Sequence, residues 1–375
     1  MSHIIVNQND ILETFSTRYK RTARDYFKFL KAKDKMSLIE ISRKLKRPYR
    51  TVQSWKYGAK PPPIKFMESL QRKKLLPFIM NEDNAKFILL VKCLAFVFGD
   101  GHIKKNGKEA TFAGQKKDLI VLQKEIQKEF NVHCRLDPVG SAYHLSIPAI
   151  VTRIITAMGA PKGDKVIQNF KLPKWIFEAS KKTKKEFLGT LFGNEGNAIV
   201  RDYHTKNAFY PPHFPMSKAL KYEKSHMLFL HEIKKMLSEF NIETSAVIKY
   251  GFYKREDGVL VRKYGFHVNR NLKNLINFLL IIGFNYAIDK KTRYERRLMN
   301  KKPFLEKRLD DILLYEKVIK LRKNGYGSIM ISRKLGLNKK NKYRIHHWVY
   351  NNVKPLNMES KKEIKKLLDF FNTTA

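Results

Sequence analysis

Two short apolar runs of the same design restrict most strongly what this chain can fold into. They lie at residues 93–101 and 188–196, and each ends in a carboxylate followed by a glycine. Few turn-forming residues precede either acid, so each run is predicted to be a buried helix. The glycine suits the position just past a helix end, where a left-handed backbone is common. Asp100 and Glu195 are therefore expected at the C-terminal ends of two buried helices.

That position is unfavourable for a carboxylate, because the C-terminal end of a helix carries partial negative charge. A single run of this kind is more often an ordinary helix stop than a functional site. Two runs with matching surroundings instead predict that a cation lies between the two acids.

The two runs resemble the signature motifs of the LAGLIDADG homing endonucleases, and the resemblance covers roughly residues 85–289. It implies that the two helices pack side by side and that each contributes one catalytic acid to a shared metal site. The metal would be Mg²⁺ or Mn²⁺. On this sequence the metal-binding residues would be Asp100 and Glu195, together with the preceding Gly99 and Asn194.

Close packing of such helices needs small residues five positions and one position before each acid. The first run has Ala95 and Gly99 there, as the family pattern requires. The second run has Thr190 at the first of these positions, and its glycines, Gly189 and Gly193, are displaced by one residue. The resemblance therefore does not determine how closely the two helices pack.

The resemblance also implies a polar or basic group beside each acid. Gln115 and Lys218 are the candidates for this catalytic role. Near the end of the last strand Arg270 stands where a basic residue is usual, whereas the first unit has Ile147 and Pro148. This difference predicts unequal half-sites, or weakened turnover on one strand.

The charge of the chain indicates a polyanionic partner. Lysine and arginine total 76 against 34 acidic residues, which gives a formal charge of +42 spread along the whole length. So large a surplus destabilises a compact fold unless a polyanion offsets it, which makes nucleic acid the first candidate and a membrane surface the second. No stretch reaches the roughly 18 apolar residues that a spanning helix needs. The two cysteines lack metal-ligand spacing and predict buried thiols in a reducing compartment, here the cytoplasm near the nucleoid.

Residues 1–80 are predicted to form a helical, basic domain. Residues 39–45, 46–49 and 50–55 read as helix, turn and helix, and they resemble a helix-turn-helix DNA-binding unit. Its second helix would present Arg50, Gln53 and Lys56 to DNA. The alternative is a helical hairpin that only packs.

A repeat near the other end of the chain favours the DNA-binding interpretation. Residues 331–335 match residues 41–45, and Trp348 stands where Trp55 stood. His346 and His347 are the corresponding DNA-contact candidates, within a predicted C-terminal helix-turn-helix domain at residues 305–375. Two copies of one motif, one on each side of the central region, predict two binding sites for one long ligand.

The centre runs twice through the order helix, two strands, helix, two strands, helix. The first unit is predicted at residues 85–162, with a hairpin turn at Asn106-Gly107 and another over residues 137–140. The linker and the second unit occupy residues 163–290. The predicted fold is α+β, with two pseudo-symmetric αββαββα units forming a DNA-binding saddle between two all-α domains.

Outward side chains on the predicted strands are candidates for contacts with phosphates or base edges. They are Lys104, Lys108, Thr111, Lys249, Lys254, Arg262, Lys263 and Arg270. For any one of them alone, a solvated surface is the simpler interpretation.

Together these patterns predict a site-specific, metal-dependent endonuclease that hydrolyses both strands of duplex DNA as a monomer. No splicing-junction residues flank the centre, so the chain is expected to be free-standing rather than an intein. Two alternatives remain: a DNA-binding regulator with the same fold and no cleavage, and a protein that binds an intron RNA. The presence of both motif acids favours the enzyme over the regulator.

Overall fold

Helices and small antiparallel sheets make up the protein, which is therefore α+β as predicted. The computed structural model describes residues 4–198, 200–201, 209–337, 339–351, 353–355 and 361–373. The chain divides into two compact units, Met1–Lys291 and Thr292–Ala375. Within the described residues, none of the helices has both the length and the apolar character that crossing a membrane requires.

The helices of the first unit are short to medium in length. They are α1 (Gln8–Glu13), α2 (Thr17–Ala32), α3 (Leu38–Leu45), α4 (Tyr49–Lys56), α5 (Pro62–Arg72), α6 (Ala85–Phe98), α7 (Lys116–Phe130), α8 (Ala149–Ala157), α9 (Lys174–Glu178), α10 (Lys181–Asn194), α11 (Glu223–Ser238) and α12 (Leu272–Asn277). A π-helical segment, Phe278–Ile282, directly continues α12.

The strands of this unit are antiparallel throughout the described pairs. They are β1 (Ile4–Val6), β2 (Phe78–Ile79), β3 (Gly101–Ile103), β4 (Ala110–Gly114), β5 (Arg135–Val139), β6 (Ala142–Ile147), β7 (Val200–Arg201), β8 (Phe209–Tyr210), β9 (His213–Ala219), β10 (Ile248–Lys254) and β11 (Leu260–His267). The larger sheets have the orders β3-β4-β6-β5 and β10-β11-β9, and β1-β2 and β7-β8 form separate pairs.

The predicted element order is present from α6 to α8. After α10 three described strands, β7, β8 and β9, precede α11, and of these β9 alone joins the sheet with β10 and β11. The hairpin turn expected at Asn106-Gly107 joins β3 to β4, and Gly107 has a φ of 65°. The turn predicted over residues 137–140 is wrong in position, because residues 137–139 belong to β5 and Val139 pairs with Ala142. Gly140, with a φ of 59°, forms the tight turn instead. Part of the first hairpin predicted for the second half, at residues 202–208, lies outside the described residues.

Helix α6 is buried on nearly all sides and packs against α10 in the centre of the unit. Its Phe98 ring lies 6.0 Å from the ring of Phe187 on α10 and 5.8 Å from that of Phe229 on α11. Lys92 interrupts the apolar sequence of α6, and its ammonium lies 3.5 Å from the carboxylate of Glu186 on α10. The charge is therefore paired across the two central helices.

The displaced glycines of α10 pack against a different segment from the one that the family pattern suggested. A Cβ on Gly193 would lie 2.0 Å from the carbonyl oxygen of Asn285, and one on Gly189 would lie 2.7 Å from that of Ile282. The amide of Asn285 also donates to the Gly189 carbonyl at 2.9 Å. These glycines thus admit the chain after α12. Gly99 at the end of α6 is the glycine that faces α10, because a Cβ there would lie 3.1 Å from that of Asn194.

Gly193→Ala is expected to destabilise the protein by about 1–3 kcal/mol or more, because backbone must move to relieve the overlap. Gly251→Ala is the matched control, since a Cβ there meets nothing within 4 Å and the residue has no positive φ. The control should change stability by no more than about 0.5 kcal/mol. Chemical denaturation measures both, and equal effects would contradict the assigned packing.

The N-terminal helices are joined to the first αββαββα segment by a buried arginine. Arg153 of α8 donates from Nη1 to both the carbonyl and the hydroxyl oxygen of Thr14, each at 3.0 Å. Its guanidinium lies 3.6 Å from the ring centre of Phe15. Burial lowers the pKa of Arg153 to about 10. Residues 4–79 therefore share one packed body with the central helices.

The second unit contains α14 (Lys302–Lys323), α15 (Ser328–Lys334), α16 (Lys339–Tyr350) and α17 (Lys361–Thr373), after the helix α13 (Ile288–Met299) that contains the division point. Tyr315 and Trp348 form an edge-to-face pair with ring centres 5.4 Å apart. In the first unit Tyr26 and Trp55 form the same kind of pair at 5.5 Å. The sequence repeat is thus also a repeat of a three-helix core, α2–α4 and α14–α16.

Candidate active site

The ends of α6 and α10 bring the two motif acids together. Gly99 caps α6 and Asp100 follows it, whereas Glu195 itself caps α10. A Cβ on Gly99 would lie 3.2 Å from Cγ of Glu195. The two helix ends therefore meet at the carboxylates, as the paired motifs predict.

The glycine after each acid is needed for a reason different from the predicted one. Gly101 and Gly196 are not in the left-handed region, so that expectation is wrong. A Cβ would instead lie 2.6 Å from the carbonyl oxygen of Phe96 or of Phe192, respectively. Each glycine lets the chain leave its helix directly over the last turn.

The electrostatics of the site show that the acids repel each other. Burial, followed by the charge of Asp100, raises the pKa of Glu195 to about 7, while Lys165 and Lys290 oppose this shift. Burial lowers the pKa of Lys165, and the nearby Glu195 and Asp100 counteract that change. Glu195 is therefore partly protonated near neutral pH, and added positive charge would favour its ionised form.

Two lysines cap the helix ends beside these acids. Lys165 Nζ donates to the carbonyl of Val97 at 2.8 Å and also to that of Gly99. Lys290 Nζ donates to the carbonyls of Gly193 and Asn194 at 2.6 and 2.7 Å. An ammonium at the C-terminal end of a helix offsets the partial negative charge of its unpaired carbonyls.

Neither lysine is among the residues that the sequence patterns single out. A signal does exist, because an Asp-Lys pair follows the closing helical segment of each half, at Asp164-Lys165 and at Asp289-Lys290. It becomes informative only when the two halves are aligned on their element order.

The two acids fit a divalent cation, since paired carboxylates provide the hard oxygen ligands that Mg²⁺ prefers. The carbonyls of Gly99 and Asn194, the other predicted metal ligands, already accept hydrogen bonds from Lys165 and Lys290. Within the described ranges, no group of three or more histidine, cysteine or acidic side chains is arranged to hold a metal. A cation at the acids would therefore complete its coordination with water and phosphate oxygens.

Two clefts open beside the acids. One, of about 350 Å³, is lined by Lys165, Glu195, Ser217 and Lys263 among others. The other, of about 100 Å³, is lined by residues that include Asp100, Gln115 and Lys290. The predicted catalytic Gln115 thus shares a cleft with Asp100, and Lys263 shares one with Glu195.

Lys218, the other predicted catalytic residue, lies behind Lys165. Its side chain is fully buried, and Nζ donates to the Lys165 carbonyl at 2.5 Å and lies 3.9 Å from the ring centre of Phe170. Burial lowers the pKa of Lys218 to about 8. These contacts favour a role in positioning Lys165.

The predicted DNA-contact residues are found mostly at the surface. The exposed ones are Lys104, Lys108, Lys249, Lys254, Lys263, Arg270, Arg50, Lys56 and His346, and the half-buried ones are Thr111, Arg262, Gln53 and His347. Lys104 pairs with Glu109 at 2.8 Å, and Lys249 and Arg262 both contact Glu223. Their role in DNA binding stays a prediction.

Comparison with known proteins gives partial alignments. No protein-family model matches the chain. It is 27% identical over 295 residues to the RNA polymerase subunit Rpo1N of Methanocaldococcus jannaschii, covering 70% of this chain and 21% of that protein. It is 25% identical over 240 residues to the tRNA-splicing ligase RtcB of Methanopyrus kandleri, covering 59% and 23% respectively. The chain thus spans about a fifth of the length of these relatives.

Two solved structures are similar to this chain at low identity. One is the N-terminal LAGLIDADG domain of DUF199/WhiA, with a TM-score of 0.32 and 13% identity, over 56% of this chain and 89% of that one. The other is the homing endonuclease I-WcaI bound to its DNA recognition sequence, with a TM-score of 0.32 and 12% identity, over 54% and 85%.

The raised pKa of Glu195 predicts a pH-dependent stability in the absence of divalent metal. Between about pH 4.5 and about pH 7 the folded protein keeps a proton that the unfolded chain has lost, so stability contributed by that proton declines as pH rises. The side chain introduced by Glu195→Gln does not titrate, so this variant should lose less stability than the parent over the same pH range. Thermal unfolding of both proteins in a chelator measures the difference, and parallel pH profiles would contradict the assigned burial of Glu195.

Proposed function

We propose that this chain is a site-specific DNA endonuclease of the LAGLIDADG type, with two αββαββα units around α6 and α10 and a helix-turn-helix unit on each side. It would hydrolyse phosphodiester bonds in both strands with Mg²⁺ or Mn²⁺ as cofactor. One observation carries the proposal: Asp100 and Glu195 meet at the ends of two paired helices, with the pKa of Glu195 raised to about 7.

The names of the sequence relatives support a separable module rather than one of the named activities. The alignments with the polymerase subunit and with the ligase cover 70% and 59% of this chain, so they must overlap within it. They nevertheless occupy only 21% and 23% of two proteins with different names. A segment that occurs in two proteins with different names is expected to carry an activity of its own, separate from theirs.

The side chains around the acids suit phosphoryl chemistry. Mg²⁺ or Mn²⁺ bound by Asp100 and Glu195 would supply charge stabilisation and an activated nucleophile. Lys165 and Lys290 hold one ammonium group at each helix end, where each can stabilise negative charge developing on one scissile phosphate. Lys263 and Gln115 line the clefts on the two sides and could orient the two strands.

Duplex DNA is the proposed partner because positive charge is available well beyond the acids. A cleft of about 510 Å³ next to α2 and α3 is lined largely by lysine and arginine, including Lys20, Arg21, Lys28, Lys44 and Lys46. Such a surface suits the phosphate backbone. One chain with two half-sites would act as a monomer, in the cytoplasm and near the nucleoid.

The proposal is tested by incubating the protein and magnesium with duplex DNA taken from around its own gene. We expect one discrete double-strand cut that disappears when a chelator is added. Tight, specific binding without any scission would reject the endonuclease.

That outcome would favour a second candidate, a DNA-binding regulator without cleavage. The observation in its favour is that Lys165 and Lys290 occupy the carbonyls of Gly99 and Asn194, which were predicted to bind metal. In a regulator, these ammonium groups would balance the two acids without a cation.

A further inference from the structure

The second unit contains a cleft that the endonuclease proposal does not use. It measures about 590 Å³ and is lined by residues of α14 and α16 and by the chain that follows α16. Phe304 contributes from α14 and Tyr343 and Trp348 from α16, so three aromatic side chains border one opening.

Two of these aromatic side chains are unusually accessible. Tyr343 is 72% exposed and Phe304 is 60% exposed, whereas Trp348 is largely buried. Exposed aromatic surface on the rim of one cleft is typical of a binding site, because contact with water is unfavourable for it.

The charges in the cleft select the kind of ligand. Lys307, Arg308 and Lys354 are part of its lining. Asp311 is the one acid among the described lining residues, and it accepts a hydrogen bond from Nη1 of Arg344. The cleft therefore combines flat apolar faces with a surplus of positive charge, which suits a ligand with aromatic rings and negative charge.

We propose that this cleft binds unpaired bases of single-stranded DNA. A base would stack on Tyr343 and Phe304 while the adjoining phosphates contact Lys307 and Arg308, the combination by which proteins hold single strands without sequence preference. The choice of DNA over RNA rests on the proposed function, in which DNA is the partner of this chain.

The two copies of the three-helix repeat differ at this point. With Trp348 aligned to Trp55, Tyr343 corresponds to Arg50 and His347 to Ser54. The second copy thus has an exposed aromatic side chain where the first has a basic one, so the repeats differ in surface chemistry at this position although they share a core.

The test measures binding of a fluorescent oligothymidylate to the full-length protein, at a salt concentration that weakens purely electrostatic binding. Tyr343→Ala is expected to weaken binding by about five- to a hundredfold, as loss of one base-stacking contact does. Tyr343 is mostly exposed, so the substitution should leave the fold intact. Tyr350→Ala is the matched control, since Tyr350 is on the same helix, is 51% exposed and is not among the lining residues.

Photocrosslinking with a halogenated deoxyuridine oligonucleotide locates the contact directly. Adducts on Tyr343, His347 or Trp348 would support the assignment. Parental affinity in Tyr343→Ala, an equal loss in Tyr350→Ala, or adducts confined to the first unit would each overturn it. Tighter binding of oligouridylate RNA with the same dependence on Tyr343 would overturn the choice of DNA.

Discussion

Asp100→Asn and Glu195→Gln are each expected to reduce double-strand cleavage by about a hundredfold or more, with DNA binding retained. The amides keep the shape of the acids at the paired helix ends but bind a divalent cation poorly. Loss of the cation removes several kcal/mol of charge stabilisation, and each ~1.4 kcal/mol is a factor of ten in rate. Binding should be equal or tighter, because one negative charge near the phosphates is gone.

Cleavage and binding are measured in parallel in magnesium, for the parent and both variants. Asp83→Asn is the charge-matched control: its side chain is 94% exposed and pairs with Lys182 at the N-terminal ends of α6 and α10, opposite the ends that carry Asp100 and Glu195. It should cut at the parental rate. Retained cutting by Glu195→Gln would remove the catalytic assignment, even if DNA binding is strong.

The affinity for duplex DNA is expected to fall steeply with salt. With a charge of +42, the protein should neutralise several phosphates and release their counterions. The logarithm of affinity should fall by roughly 0.9 per phosphate contact for each unit of log salt. Six to ten contacts would then weaken binding by about 10³ to 10⁵ between about 50 and 200 mM salt.

A titration at several salt concentrations measures this slope. Replacing Arg50 and Lys56 by alanine should lower the slope by about one for each lost phosphate contact. The control replaces Lys124 and Lys128, which are exposed on α7, by alanine. It removes the same charge and should leave the slope unchanged. An affinity that does not vary with salt would argue against a phosphate-binding protein.

The central helices could be predicted from sequence because their patterns are local. The run before Asp100 is apolar on all sides, which indicates a helix with no solvent face, and α6 is such a helix. The repeat containing Ile41 and Ile331 predicted two similar helical units, and both have the same tyrosine–tryptophan core. The turn near Asp137 was misplaced because Asp-Pro is a frequent turn signal, whereas the pairing with β6 holds these residues in a strand.

The sequence alone determined the α+β class, the two buried helices and the acids at their ends, since a run of apolar residues before a carboxylate and glycine carries that information locally. Only the tertiary structure decided what surrounds the acids. Lys165 and Lys290 reach the helix ends from segments distant in sequence, so the Asp-Lys pairs that contain them become informative only when the two halves are aligned on their element order. The structure also decided what Gly189 and Gly193 face, because a glycine's neighbour is set by which backbone packs on it. Contacts between segments far apart in the chain form only on folding, and they fix the charge around Glu195.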